Sequence, residues 1–127
     1  MDDNQLATIV IRAAFNVRKE LGMGLLEGAY EKALKMELEQ QGLAVKSQEA
    51  VPLVMDDEHV EKAFRADLLV EDQLAIELKT VQDISPVHKA QLLTYLRFLN
   101  YRLGLIINFN SFDLKKGIVR VANGLLP

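Results

Sequence analysis

The chain has 127 residues, of which 50% are hydrophobic and 26% are charged, and its formal net charge is -3. This length predicts one domain over residues 1–127 with a single hydrophobic core. The absence of cysteine excludes disulfides, cysteine-ligated zinc, iron–sulfur clusters and a thiol nucleophile. The negative charge argues against a protein that holds nucleic acid by electrostatics alone, but it is compatible with an enzyme that has a local basic rim around a metal.

The first residues of the chain are acidic and lack the basic and then apolar pattern of a signal peptide. No apolar run approaches the length of a membrane span. We therefore expect a cytoplasmic protein with no membrane partner.

Two amphipathic helices are predicted in the first third of the chain. The first runs from about Asp3 to Leu21, with apolar residues at the i, i+3, i+4, i+7 spacing. Gly22-Met23-Gly24 ends it and connects it to the second helix, from Leu25 to about Gln41. The apolar stripe of the second helix consists of Leu26, Tyr30, Ala33, Leu34 and Leu38.

Three strands are predicted next. Leu43 to Met55 contains β-branched residues and also Pro52, which cannot donate to a ladder, so this strand lies at an edge or is broken by a bulge. Asp56-Asp57-Glu58 turns the chain into a second strand, which runs through Phe64 to Val70. The third strand is Leu74–Thr80.

A helix and one or two strands complete the predicted elements. Ser85-Pro86 indicates a helix start, with serine as the N-cap, and the helix continues to about Asn100. Leu103–Phe109 is apolar on both faces, as expected for a central strand, and a short strand over Ile118–Val121 precedes an unstructured end. The order α-α-β-β-β-α-β, with its strand–helix–strand unit, predicts parallel pairing through a right-handed crossover and therefore an α/β fold with a mixed sheet.

Charged residues interrupt the apolar runs on either side of Glu71-Asp72-Gln73. If Val70 pairs with Leu74 across this turn, Asp67 falls directly opposite Glu77, and like charges so placed are destabilising. Since buried carboxylates are rare unless paired or metal-bound, we interpret the pair as a divalent-cation site. A water-exposed sheet face with a Lys–Glu pair is the alternative interpretation.

Magnesium suits such a site because it prefers oxygen ligands, uses one or two carboxylates and keeps several waters. Lys79 shares a face with Glu77, since side chains alternate along a strand. A lysine beside the metal can orient the attacking water or offset charge on a phosphoryl oxygen.

Two further groups of polar residues have ordinary structural interpretations. Glu27 and Glu31 lie one turn apart on the second helix and fit a solvated helix edge. Their spacing does not decide which of the two faces a site. His88, Gln91 and Tyr95 form a polar line on the later helix. We interpret His88 as a surface residue, with catalysis as the minority alternative.

Four motifs, in order along the chain, resemble the GxxExxY protein family, which is placed in the PD-(D/E)XK nuclease superfamily. They are Gly24-Leu25-Leu26-Glu27-Gly28-Ala29-Tyr30 for Gly-x-x-Glu-x-x-Tyr, Arg65–Val70 for the aspartate strand, Ile76–Lys79 for the (D/E)-x-K strand, and Gln91–Tyr95 for the Gln-x-x-x-Tyr helix of RecB-type nucleases. Ala66 stands in the place of the proline in the superfamily's name. The resemblance covers nearly the whole chain.

The resemblance implies a restriction-endonuclease-like mixed sheet flanked by helices and a site for Mg or Mn. It implies that Asp67 and Glu77 ligate the metal with help from the Leu78 carbonyl. The remaining implied roles are assistance to the nucleophilic water by Lys79, completion of the acidic cluster by Glu27, lining of that cluster by Gln91, and substrate contact by Tyr95 and Arg65.

The function that these features indicate best is a metal-dependent nuclease, a hydrolase acting on DNA. The alternative is a non-catalytic nuclease-fold protein that binds nucleic acid or a partner protein, and the intact set of acidic residues and lysine argues against it. A helix-turn-helix DNA-binding protein is a poor third alternative, because the second helix is rich in glutamate, which phosphates repel. A homodimer is plausible because so small a domain offers little surface to embrace a duplex, but no motif demonstrates it.

Overall fold

The computed structural model describes residues 1–60 and 65–124, without the side chains of His59 and Val60. Its helices are α1 (Asp3–Leu21), α2 (Glu27–Gln40) and α3 (Pro86–Leu99). Its strands are β1 (Val45–Ala50), β2 (Leu53–Met55), β3 (Glu58–Val60), β4 (Arg65–Val70), β5 (Leu74–Lys79), β6 (Leu103–Asn108) and β7 (Ile118–Ala122), and a 3₁₀ helix covers Leu114–Gly117. None of the helices within the described ranges is long and apolar enough to cross a membrane.

The strands form a five-stranded sheet in the order β1-β4-β5-β6-β7 and a separate β2–β3 hairpin. β5 and β6 are parallel, whereas the other neighbours in the large sheet are antiparallel. The chain crosses from β5 to β6 through α3, as the strand–helix–strand pattern predicted. The predicted α/β fold with a mixed sheet of the restriction-endonuclease-like type is confirmed.

Helices cover both faces of the large sheet. Leu68 and Ile76 lie in a core that the sheet shares with α1 and α2. Leu69 and Ile106 point to the opposite face, where they pack with Leu92 of α3. Every residue of β6 is buried, which confirms the central position expected from its apolar sequence.

The single strand predicted over Leu43–Met55 is wrong, because the chain divides at Pro52 into β1 and β2. Proline has no N–H with which to continue a ladder. The expected edge position is confirmed for β1, while β2 turns back to pair with β3. The predicted passage of the next strand through Phe64 lies outside the described residues. The small final strand is present as β7, which pairs with β6.

α2 begins at Glu27, two residues later than predicted. Leu26 is its N-cap and is 85% exposed, so the predicted place of this residue in the apolar stripe is wrong. The buried stripe consists of Tyr30, Leu34 and Leu38. Gly22 and Gly24 have φ angles of 73° and 89°, which L side chains rarely adopt, and this explains the glycines in the connection between α1 and α2.

Candidate active site

The β4–β5 hairpin has the predicted register up to its open end. Its paired residues are Leu68↔Ile76, Leu69↔Ala75 and Val70↔Leu74. Beyond them, carboxylates bond to the backbone: Oδ2 of Asp67 accepts from the Leu78 N–H at 2.8 Å, and Oε1 of Glu77 accepts from the Asp67 N–H at 3.4 Å. The two acidic residues therefore meet where the paired part of the hairpin ends.

Glu77 is only 8% exposed. Burial and, after it, the neighbouring Asp67 raise the pKa of Glu77 from 4.5 to about 8, although Lys79 acts in the opposite direction. Both causes disfavour the ionised carboxylate. A cation bound at this position would remove the unfavourable interaction, so the electrostatics of the hairpin favour a cation site.

The end of β5 holds Lys79 through its backbone. The Lys79 carbonyl accepts a hydrogen bond from the Phe109 N–H at 2.9 Å. The buried Asn108 then clamps Val81, donating from Nδ2 to its carbonyl at 2.8 Å and accepting from its N–H at 3.1 Å. Asn108 is not among the residues predicted from the sequence, although a lone polar residue near the end of an apolar strand is a signal that could have identified it.

The segment from Gly24 to Tyr30 places Glu27 at the start of α2. The Tyr30 hydroxyl donates to the Gly22 carbonyl at 2.7 Å, and the Tyr30 ring stacks on Phe109 with 4.4 Å between ring centroids. Tyr30 thus joins the α1–α2 connection to the end of the sheet. Glu27 is the first residue of α2, one turn before the buried Tyr30, and its side chain is half-buried.

Two glutamates of α2, Glu27 and Glu31, lie near the hairpin. Burial and then the charge of Asp67 raise the pKa of Glu27, Glu31 adds to this increase, and Lys79 opposes it. Glu27 is therefore within electrostatic reach of Asp67 and Lys79. Glu31 accepts a hydrogen bond from Nε2 of Gln48, which also donates to Oδ1 of Asp67 at 3.2 Å. Glu27 and Glu31 therefore both lie near Asp67, whereas spacing alone did not show which of them would do so.

Gln48 was not a sequence-predicted site residue. It lies between the paired positions Ser47↔Leu68 and Glu49↔Ala66, and therefore across from Asp67. The register of β1 on β4 would have identified it, but the long connection between these strands gives the sequence no means to set that register.

Tyr95 of α3 lies near two of the acidic residues. Burial, followed by the charges of Glu77 and Asp67, raises the pKa of the Tyr95 hydroxyl, which places this residue in electrostatic reach of both carboxylates. Gln91, one helical turn earlier, is exposed, and no hydrogen bond joins it to the acidic residues within the described ranges. Arg65 is exposed at the start of β4.

His88 has a structural role at the start of α3. Its Nδ1 accepts from the Ser85 N–H at 3.1 Å, while Oγ of Ser85 accepts from the His88 N–H at 3.4 Å. These reciprocal bonds close the N-terminus of the helix and satisfy donors that would otherwise be free. The cap accounts for His88 without a catalytic role.

The donor set of the site fits a hard divalent cation. In the part of the chain that the structure describes, no three carboxylate or imidazole groups converge closely enough to enclose a metal ion by themselves. Asp67 and Glu77 nevertheless supply carboxylate oxygens at one place, with Glu27 nearby. Magnesium and manganese prefer such oxygen ligands, and magnesium typically takes one or two carboxylates and retains waters.

Two clefts are lined by residues that follow Lys79 and the end of β5 in the sequence. The larger has a volume of about 780 Å³ and extends from the α1–α2 connection to the loop after β6. The smaller has a volume of about 230 Å³ and includes Lys89 of α3. Gln82, Asp83, Ser111 and Lys116 line both clefts.

The five-stranded mixed sheet, with two carboxylates and a lysine at the open end of one hairpin, defines the restriction-endonuclease-like class of proteins. A family model described as the PD-(D/E)XK nuclease superfamily matches residues 4–121. The chain therefore belongs to the PD-(D/E)XK nuclease superfamily, whose nucleases generally use divalent metals such as Mg or Mn. Comparison with curated proteins found no match, and comparison with solved structures found none.

Proposed function

We propose that this protein is a Mg- or Mn-dependent nuclease that hydrolyses phosphodiester bonds in DNA. The observation that carries the proposal is the placement of Asp67 and the buried Glu77 at the open end of the β4–β5 hairpin, beside Lys79. Burial with a like-charged neighbour is unfavourable for the ionised form of Glu77, and such perturbed carboxyl groups cluster at functional sites.

The cation would be held by Asp67 and Glu77, with the Leu78 carbonyl and Glu27 as further oxygen donors. When bound, such a cation supplies Lewis acidity that polarises a phosphoryl oxygen and promotes ionisation of water. The Leu78 N–H already holds Oδ2 of Asp67 at 2.8 Å, so the strand backbone orients one ligand before any ion arrives.

The lysine and the α3 residues would act on the substrate. Lys79 would orient the nucleophilic water and offset negative charge that develops on the phosphoryl oxygens. Tyr95 would donate from its hydroxyl to the DNA backbone, with Gln91 lining the same helix face one turn away. Arg65, exposed at the start of β4, would contact a flanking phosphate.

The finer family assignment, to GxxExxY proteins with a RecB-type helix, is part of this proposal. It is supported by the separate roles of the residues in the first motif, since Gly24 supplies a positive φ, Tyr30 anchors the turn and Glu27 lies beside the carboxylates. It is also supported by Tyr95 of the last motif, which lies within electrostatic reach of Glu77 and Asp67.

Cleavage of plasmid and single-stranded DNA tests the proposal, with RNA of the same sequence as a second substrate. We expect the wild-type protein to cleave DNA in Mg²⁺ or Mn²⁺ but not in EDTA. Asp67→Asn and Lys79→Ala should each slow cleavage by about 100-fold or more. Lys46→Ala is the control, since Lys46 is exposed and pairs with Asp72 at 2.9 Å. Cleavage that persists in Asp67→Asn, or that never depends on a metal, would contradict the proposal.

One observation favours a second candidate function, a non-catalytic nuclease-fold protein that binds nucleic acid or a partner protein. No group of three metal-ligating side chains converges within the described ranges. Calorimetric titration with Mn²⁺ distinguishes the two functions, because the nuclease must bind the ion. DNA binding without Mn²⁺ binding would identify the non-catalytic protein.

A further inference from the structure

We propose that Gln48 is a positioning residue that orients the Asp67 carboxylate for metal binding by bridging it to Glu31. The inference rests on the proposed metal-dependent function. The observation behind the inference is that one side-chain nitrogen of Gln48 has two acceptors. Nε2 donates to Oε1 of Glu31 and, at 3.2 Å, to Oδ1 of Asp67. The amide thereby joins α2 to β4 across the edge strand β1.

The backbone of Gln48 has an unusual conformation. Its φ is 52°, in the left-handed region that non-glycine residues seldom occupy. The β1–β4 ladder pairs Ser47 with Leu68 and Glu49 with Ala66 but does not include Gln48. An uncommon conformation of this kind persists where surrounding structure holds it, and such residues cluster at functional sites.

The bridge completes the orientation of Asp67. One oxygen, Oδ2, already accepts from the Leu78 N–H at 2.8 Å, and Gln48 takes the other oxygen. Two donors on different oxygens define the plane of a carboxylate. Because an ionised carboxylate has about four acceptor sites, each oxygen keeps capacity for a cation.

A neutral amide suits this position better than a charged side chain. Lysine or arginine could also bridge Glu31 and Asp67, but a fixed positive charge there would compete with a metal ion. The Gln48 amide donates to both carboxylates and leaves their negative charge for the cation. Outer residues that orient ligands in this way typically change metal affinity by about 10–100-fold when they are replaced.

Glu27 and Glu31 of α2 have different surroundings. Glu27 is within electrostatic reach of Asp67 and Lys79, which suits a group that faces the ion. Glu31 is the second acceptor of the Gln48 amide and holds that amide in place. Glu31→Gln preserves an oxygen acceptor, so it should weaken metal binding much less than removal of the Gln48 side chain.

Calorimetric titration with Mn²⁺ of the wild-type protein, Gln48→Gly, Glu31→Gln and Asp67→Asn tests the inference. Glycine accepts the positive φ of position 48, so Gln48→Gly removes the amide without straining the backbone. We expect this variant to bind Mn²⁺ about 10–100-fold more weakly than wild type. Glu39→Gln, an exposed change on α2, is the matched control. Thermal melting in EDTA checks that all variants remain folded.

The outcomes separate this inference from the proposed function. Equal Mn²⁺ affinity of the wild type and folded Gln48→Gly would overturn the positioning role and leave the nuclease proposal intact. A loss in Glu31→Gln as large as that in Asp67→Asn would make Glu31 a metal ligand and would also overturn the positioning role. Absence of Mn²⁺ binding by the wild-type protein would overturn both proposals.

Discussion

Above pH 4.5, we expect Glu77 to make the metal-free protein less stable than a neutral residue at the same position would. Its carboxyl is buried on β5 and lies beside Asp67, and these two causes bring its pKa to about 8. Between pH 4.5 and about 8, the folded chain retains a proton that the unfolded chain has released. Stability from this group is therefore lost as the pH rises through that window.

Glu77→Gln should stabilise the protein in EDTA because it replaces the buried acid with a neutral amide. At pH 8 we expect a higher melting temperature than wild type, and the gain should shrink as the pH approaches 4.5, where the unfolded chain also binds the proton. Each kcal/mol corresponds to roughly 3–5 °C for a chain of this size.

The same variant should fail to gain stability from Mn²⁺, whereas the wild type should gain it by mass action. Differential scanning fluorimetry over this pH range measures both effects, with Glu39→Gln as the exposed control. An unchanged melting temperature at pH 8, or a gain that grows as the pH falls, would argue against the burial account of Glu77.

At the residue scale, the sequence predicted the hairpin site because that site depends on local pairing. A short turn at Glu71-Asp72-Gln73 determines which strand positions oppose each other, so Asp67 and Glu77 could be brought together by counting. Gln48 and Asn108 could not be found in this way. Their contacts depend on pairing between strands that are distant along the chain and on a positive φ that no glutamine pattern indicates.

At the element scale, the close approach of α3 to the sheet depends on Gly104 of β6. A Cβ built at Gly104 would lie 3.0 Å from Cδ2 of the buried Leu92. Leu92 is surrounded by the core between α3 and the sheet and has little room to yield. Since Tyr95 follows Leu92 on the same helix, we expect this contact also to influence the distance between Tyr95 and the carboxylates.

Gly104→Ala should destabilise the fold by about 1–3 kcal/mol, the usual effect of overpacking a core. Urea denaturation measures the change. Gly28→Ala is the matched control, because a Cβ there meets nothing within 4 Å and alanine favours the α2 helix. Equal denaturation midpoints for Gly104→Ala and wild type would show that α3 adjusts without loss.

The helices and strands were predictable wherever a pattern was long or a cap was explicit. Ser85-Pro86 identified the start of α3, and the apolar run over Leu103–Phe109 identified a buried central strand. The division at Pro52 was foreseen only as a bulge or an edge, because proline shows where a ladder stops but not where the chain goes next.

At the scale of the whole molecule, the net charge of -3 requires that DNA binding depend on local basic groups. Lys89 and Lys116 line the smaller cleft beyond β5 together with Asp83. Within the described ranges neither ammonium group forms an ion pair with a carboxylate. Both are therefore available to phosphates that extend past Lys79.

The double variant Lys89→Gln/Lys116→Gln should bind DNA more weakly and with a smaller dependence on salt. If each lysine contacts one phosphate, the slope of log K against log salt concentration should fall by about 1 per lysine. Fluorescence anisotropy in EDTA measures this without cleavage. Lys19→Gln/Lys46→Gln removes the same charge from α1 and β1 and should keep the wild-type slope. Equal salt-dependence slopes for the two double variants would show that the DNA does not contact Lys89 and Lys116.

The proposed nuclease activity is tested most directly by the initial rate at which wild type and Lys79→Ala cleave a labelled single-stranded DNA in Mn²⁺. Lys79 follows Glu77 on β5 but is not needed to hold the ion, so Lys79→Ala should bind Mn²⁺ about as tightly as wild type. We expect its rate to be lower by about 100-fold or more. Equal rates, or a wild-type protein that binds Mn²⁺ and cleaves nothing, would contradict the proposed function.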